Sequence, residues 1–304
     1  MKILVGSAGT NAGYNFVLSI RRYFPEVEVV SMDVNPPKLV PSSLLSDHHV
    51  TSPYAHESEY EDFLRKLIEG WSIDLFVPIN SFEIQVAHKS FKNISLLMTS
   101  NCKWLDKRLC NQVLYNNDLP VPVEINPQQD LGGEFFIKPV DGNGSHGARL
   151  IKGSEAALLD LEKNILQEKC AGPEITIDSL MYEGELVVRC RERLETKAGV
   201  CTKARVFWSD ELFNLAKKLA ATIEQTGLIC FQIMFNASGE FVITDLNLRP
   251  GGGTAISCLV GGDLFAGVLS GKVNTAQRIV FPRKVTESFV CRQYSEFLTS
   301  ANRP

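Results

Sequence analysis

Three oxygen-bearing side chains stand close together in GLICFQIMFNASGEFVITDLNLRPGGG, residues 227 to 253: Gln232, Asp245 and Asn247. Pairing Phe235 with Glu240 across a turn at Asn236 to Gly239 makes a β-hairpin with Ile243 opposite Gln232 and Asp245 opposite Cys230. Side chains alternate along a strand, so the three share a face. Diagonal neighbours about 7–8 Å apart can close around a cation. Oxygen donors without sulfur or imidazole select a hard ion. The competing reading is a strand end whose polar residues face water. Arg249 continues the same face if the strand stays extended, and Gly251, Gly252 and Gly253 follow it.

Upstream segments supply charge. In FFIKPVDGNGSHGARLI, residues 135 to 151, a strand ends in Lys138, a loop holds Gly142, Gly144, Ser145 and Gly147, and a second strand returns. Amides of such a loop can close over phosphates while the lysine meets their oxygens. Strand, loop, strand is not a Walker A motif, which must open a helix; it works more like the glycine lid of kinases. His146 in this loop reads as a solvated polar residue. In LQEKCAGPEITID, residues 166 to 178, Glu168 and Glu174 flank a Gly-Pro turn, where acidic residues are usually solvated. Arg189, Arg191 and Arg193 alternate onto one strand face and repel one another unless an anion or an acid such as Glu192 or Glu195 compensates.

These residues need elements to hold them. A chain of 304 residues calls for two or three subdomains. With 44% hydrophobic and 22% charged residues it has the composition of a soluble globular protein. A net charge of −4 gives no reason to expect non-specific binding to nucleic acid or anionic lipid. The eight cysteines include no C-x-x-C pair, so buried reduced thiols are expected. The N-terminal MKILVGSAGT has too short an apolar run for a signal peptide, and no stretch approaches the ~20 apolar residues of a membrane span, which reads as cytoplasmic.

Up to residue 100, strands at Lys2 to Val5, Val27 to Met32 and Ile73 to Val77 alternate with helices at Asn15 to Phe24, Asp62 to Glu69 and Glu83 to His88. That alternation argues for a parallel sheet covered by helices. Gly6, Gly9 and Gly13, with Asp33 after the second strand, suggest a dinucleotide fingerprint. The spacing departs from G-x-G-x-x-G, so the turn reads as a tight bend in a doubly wound domain rather than a nicotinamide site. Beyond residue 100 come a helix at Lys103 to Asn116, strands at Phe135 to Lys138 and Ala148 to Lys152, a helix near Glu155 to Asn164, and then mostly hairpins with one long helix at Asp210 to Thr226. This is a second, α+β unit.

The order Lys107, Lys138, glycine loop, Gln-Glu-Lys-Cys, Gly-Pro-Glu, Gln232, and Asp245-x-Asn247-x-Arg249 resembles the ATP-grasp superfamily over nearly the whole chain. VPINSFEIQVA at 77 to 87, RCRERLETKAG at 189 to 199 and NLRPGGG at 247 to 253 resemble members similar to carbamoyl phosphate synthase. The chain is too short for that enzyme's large subunit, which has two such halves. The resemblance implies an α/β fold with a Rossmann-like pre-ATP-grasp domain at 1–100. An α+β ATP-grasp domain at 101–304 would follow, with a lid about 119–168 and a C-terminal lobe about 169–304. It implies ATP-dependent ligation of a small carboxylate to an amine, thiol or other nucleophile through an acyl phosphate. An ATP-binding protein, or a subunit without turnover of its own, is the alternative. Lys107 and Lys138 would touch the phosphates, Gly142, Gly144, Ser145 and Gly147 would form the lid, Glu168, Lys169 and Cys170 would sit at the adenine, and Glu174 at the ribose. Gln232, Asp245 and Asn247 would hold Mg²⁺, with Mn²⁺ as a substitute. The family more often has Glu at the place of Asp245, and many members have an acid at that of Gln232. Arg249 and Arg191 are the catalytic candidates. No nucleic-acid or membrane partner is implied, and a homodimer is open to it.

Overall fold

In a computed structural model, residues 1–126, 132–141, 147–197, 199–274 and 277–299 are described, without the side chains of 157 and 158. The chain begins with β1 (Lys2–Val5), α1 (Asn11–Tyr23), β2 (Glu28–Asp33), β3 (His48–Thr51), α2 (Tyr60–Trp71), β4 (Leu75–Val77) and α3 (Ser81–Ser90). Its strands form a parallel sheet in the order β3-β2-β1-β4. Ile3, Leu4 and Val5 of β1 are all buried, as a central parallel strand with both faces covered requires. The helices are set by local caps. Thr10 accepts from the Gly13 amide to start α1, four residues before the expected Asn15, and Asn80 forms a capping box with Glu83 to start α3.

A 3₁₀ turn at Cys102–Leu105 leads into α4 (Lys107–Asn116), capped by Asp106. β5 (Glu134–Pro139), β6 (Arg149–Lys152) and β7 (Asn164–Glu168) form an antiparallel sheet in the order β6-β5-β7. The helix expected near Glu155 to Asn164 is instead a 3₁₀ turn at Gly153–Leu158 followed by β7. Tertiary pairing wins over local pattern there: Ile165 and Leu166 are buried on β5.

Then come β8 (Ala171–Tyr182), β9 (Glu185–Lys197), β10 (Val200–Phe207), α5 (Asp210–Thr222), β11 (Leu228–Phe235), β12 (Phe241–Asn247), α6 (Thr254–Gly261), α7 (Leu264–Ser270) and β13 (Ser288–Cys291). Their strands make an antiparallel sheet in the order β12-β11-β8-β9-β10-β13. One apolar core joins the two large sheets: Ile3, Phe16 and Val77 belong to the same cluster as Ile177, Phe231 and Phe265. The rings of Phe16 and Phe265 meet edge-on at 5.5 Å between centroids. The β5–β7 sheet has a small cluster of its own, with Ile137, Ile151, Ala156 and Leu166.

Candidate active site

The β11–β12 hairpin differs in register from the sequence expectation. Phe235 pairs with Phe241, Ile233 with Ile243, Gln232 with Asp245 and Cys230 with Asn247. The register shifts between Gln232 and Ile233, so Thr244 is the extra residue of a β-bulge. The shift has a chemical result. Gln232 and Asp245 stand directly opposite instead of diagonally, and the Thr244 carbonyl accepts a hydrogen bond from Lys138 Nζ at 2.9 Å.

A cleft of about 400 Å³ separates this hairpin from the β5–β7 sheet, and Lys107, Lys138, Gln232, Asp245 and Asn247 all line it. Lys138 is 4% exposed, and burial, opposed by Asp245 and reinforced by Lys107, holds its pKa below the ordinary lysine value. Lys107 opens α4, its backbone N–H donates to Val140 O at 3.0 Å, and its Nζ stands 3.8 Å from Asp245 Oδ1. Asp245 Oδ2 accepts from Asn247 Nδ2 at 2.8 Å. Two ammonium groups thus face a single carboxylate. The corner is short of negative charge, which an oligophosphate would supply. Gln232, Asp245 and Asn247 offer only oxygen to a metal, and the bond from Asn247 Nδ2 leaves its amide oxygen unused. This donor set fits a hard divalent ion that takes most of its charge compensation from phosphate. Among the described residues no group of three or more His, Cys, Asp and Glu could hold a metal without such help.

At the other end of the cleft Phe136, Leu150 and Met234 give apolar walls. Glu168 pairs with Val123 in both directions, its amide donating to Val123 O and its carboxylate accepting from Val123 N, each at 2.9 Å. Cys170 lines the cleft, and burial pushes its thiol up to about 11, so it is a neutral wall group. Lys169 turns its side chain away to Glu134, 2.7 Å from Nζ, leaving only its backbone for a ligand. Glu174 lines the cleft but is held by Arg193. Gly147 has φ +77°, and a Cβ there would come 3.0 Å from Pro139 Cγ, so glycine suits the position. Gly142, Gly144 and Ser145 lie outside the described residues, as does His146.

The sequence reading of the site missed the apolar walls and, among polar side chains, Gln167 and Arg193. Gln167 is 2% exposed, and its buried Nε2 has no partner among the described residues, so it can meet a ligand acceptor. Arg193, not Arg191, reaches the cleft. The arginine row is resolved by partners other than those expected. Arg189 donates to the carbonyls of Val188, Gly261 and Pro282; Arg191 lies 3.4 Å from Asp178; Arg193 takes Glu174. Glu192 and Glu195 instead bind Arg205 and Lys203. Arg191 is thus buried behind the turn at Gly251 to Gly253, outside the cleft lining. Arg249 is half-buried beside that turn, with Nη1 3.2 Å from Pro250 O.

The N-terminal glycine turn is closed by the protein's own acids. The Gly9 amide donates to Asp33 at 2.8 Å, and a Cβ on Gly6 would lie 2.6 Å from both oxygens of buried Glu83. Negative charge already sits where a pyrophosphate would have to come, which agrees with a structural bend rather than a nicotinamide site.

Residues 104–253 match the ATP-grasp domain family. That match agrees with the motif order. No curated protein matches the sequence. Among solved structures it is similar to the biotin carboxylase domain of 2-oxoglutarate carboxylase from Hydrogenobacter thermophilus in complex with MgADP, ADP and bicarbonate, with TM-score 0.76 and 12% identity over 96% of this chain and 74% of that one. The N5-carboxyaminoimidazole synthetase of Staphylococcus aureus complexed with ADP gives TM-score 0.73 and 13% identity over 92% and 79%. The L-amino acid ligase of Bacillus licheniformis gives 0.69 and 14% over 91% and 75%. At such identities the likeness is one of fold.

Proposed function

We propose that the protein is an ATP- and Mg²⁺-dependent ligase that activates a small-molecule carboxylate as an acyl phosphate for attack by an amine or other nucleophile. The observation that carries this reading is the convergence of Lys107, Lys138 and Asp245, brought from α4, β5 and β12 into one cleft. Transfer of a γ-phosphoryl group to a carboxylate brings two anions together, so the site must supply cations and hold the partners in line. Lys138, on the sheet that roofs the cleft, and Lys107, at the start of α4, would meet the phosphate oxygens. Gln232, Asp245 and Asn247 would hold Mg²⁺. When bound, that ion would supply positive charge to the phosphates and help align the transferred group. Phe136, Leu150 and Met234 would enclose the base, with Glu168, Cys170 and the free Gln167 amide at its edge and Glu174 at the ribose. Arg249, two residues beyond Asn247, would face the acid as charge develops on it.

The test is ADP release from MgATP over a panel of carboxylates paired with amines. Release with a particular pair, abolished in Asp245→Ala while nucleotide is still bound in EDTA, is the expected result. Nucleotide binding without ADP release from any pair would leave an ATP-binding protein or a subunit awaiting its partner. Tight NADH binding without ATP binding would overturn the reading.

A further inference from the structure

The turn at Pro250 to Gly253 is surrounded by more positive charge than the protein neutralises. Arg249 reaches it from β12, with Nη1 3.2 Å from Pro250 O. Arg191 packs beneath it, so that a Cβ on Gly253 would lie 2.4 Å from Nη1. Arg292, just past β13, donates from Nη2 to Gly252 O at 2.9 Å, and its backbone N–H is fixed on Thr202 O at 2.7 Å. Burial, and next the charge of Arg191, lower the pKa of Arg292, which places these two guanidiniums in each other's field.

The acid in their midst is Asp178, and it is fully used. Its Oδ1 accepts from Thr254 Oγ1 at 2.6 Å, and its Oδ2 accepts from Ser257 Oγ at 2.6 Å and faces Arg191 Nη2 at 3.4 Å. Three guanidiniums against one carboxylate leave two positive charges. Arg191 is 2% exposed, with Cys201 beside its guanidinium, and its Nε has no hydrogen-bond partner among the described residues; the same holds for buried Arg249 Nε and Arg292 Nη1. Such groups are costly unless an anion answers them. On its Gly252 side the turn is open. A Cβ on exposed Gly252 would meet only Asn11 Cβ, at 3.8 Å, and Asn11 begins α1, whose first turn carries no acidic residue and so presents a positive helix end.

Arg249, nearest in sequence to the metal-holding strand, accounts for the carboxylate that is phosphorylated. Arg292 arrives from the opposite end of the six-stranded sheet and is not needed there. We infer that the acid substrate carries a second anionic group, a further carboxylate or a phosphate, which the Gly251 to Gly253 turn and Arg292 recognise, with Arg191 supporting them from below. This rests on the ligase reading for the name of substrate, but the surplus positive charge would favour a dianion among any acids bound there.

Calorimetric titration of the full chain loaded with MgADP tests it, with acetate and propionate as monoanions, succinate and glutarate as dicarboxylates, and 3-phosphoglycerate as a phosphorylated acid. At least one dianionic acid should bind about tenfold or more tighter than the monoanions. That preference should collapse in Arg292→Gln and return in large part in Arg292→Lys, with MgADP affinity reporting that the fold is intact. A structural role for Arg292 alone would weaken all acids together and leave the ratio unchanged. Equal binding of mono- and dianionic acids, or an unchanged ratio in Arg292→Gln, overturns the inference. Dianion-selective binding without ADP release would sink the ligase reading and leave this one standing.

Discussion

In the proposed reading Lys138 serves a ligand at the expense of the empty protein. It is buried, and burial leads the causes that lower its pKa. A lysine that binds its proton less well folded than unfolded makes stability rise with pH between the folded and unfolded pKa values, because the unfolded chain holds more protons there. Below that window its buried charge is therefore a cost in the empty protein. Lys138→Met should leave the melting temperature of the empty protein unchanged or higher while weakening MgADP binding about 10- to 100-fold. Differential scanning fluorimetry and calorimetric titration measure the two effects; a lower melting temperature together with unchanged affinity would make Lys138 structural. Asp245 behaves differently, since it answers both Lys107 and Asn247. Its removal strips the corner of its carboxylate, so Asp245→Ala should lose turnover rather than base recognition.

At the scale of elements, α6 and β9 meet closely outside the cleft. Arg189 is fully buried, its guanidinium binds the Gly261 carbonyl at the end of α6 at 2.6 Å, and burial lowers its pKa to about 10. A Cβ on Gly261 would lie 1.9 Å from Arg189 Nε. Gly261→Ala should therefore destabilise the fold by roughly 1–3 kcal/mol, as overpacking does. Urea unfolding reads this out, and a change within about 0.5 kcal/mol would show that the helix end can move aside. The same joint shows where sequence reading stops. The uniform apolar run of β1 and the cap before α3 are local signals, so both elements were legible. β3, with its two histidines, and β7, which follows a run readable as a helix, owe their strand state to neighbours distant in sequence. The Thr244 bulge has no local signature either, which is why the hairpin register was misplaced by one residue near the turn and by two beyond it. In the cleft, Lys138 and Asp245 were legible from motif order. Gln167 and Arg193 there, and Arg292 at the Pro250 to Gly253 turn, were not, because only the folded chain shows which polar groups meet at a site.

For the whole molecule, the distribution of apolar cores decides what can move. The parallel sheet and the six-stranded sheet share one cluster, with Phe16 of α1 against Phe265 of α7, so neither can be exposed without uncovering the other. They should unfold together in one transition. The β5–β7 sheet stands apart on a cluster as small as Ile137, Ile151, Ala156 and Leu166, and its links to the body include single polar contacts such as Lys138 Nζ to Thr244 O. Few buried contacts mean a low local opening free energy. Amides of β5 and β7 should therefore exchange with solvent faster than those of β1 and β11 in the empty protein. If held as proposed between Lys138 and the β11–β12 hairpin, MgADP should slow that exchange by about tenfold or more at saturating nucleotide, while β1 changes little. Hydrogen–deuterium exchange with mass spectrometry resolves these segments. Equal protection of β5 and β1 without nucleotide would show that the roof of the cleft is as rigid as the body, and nucleotide entry would then need another route.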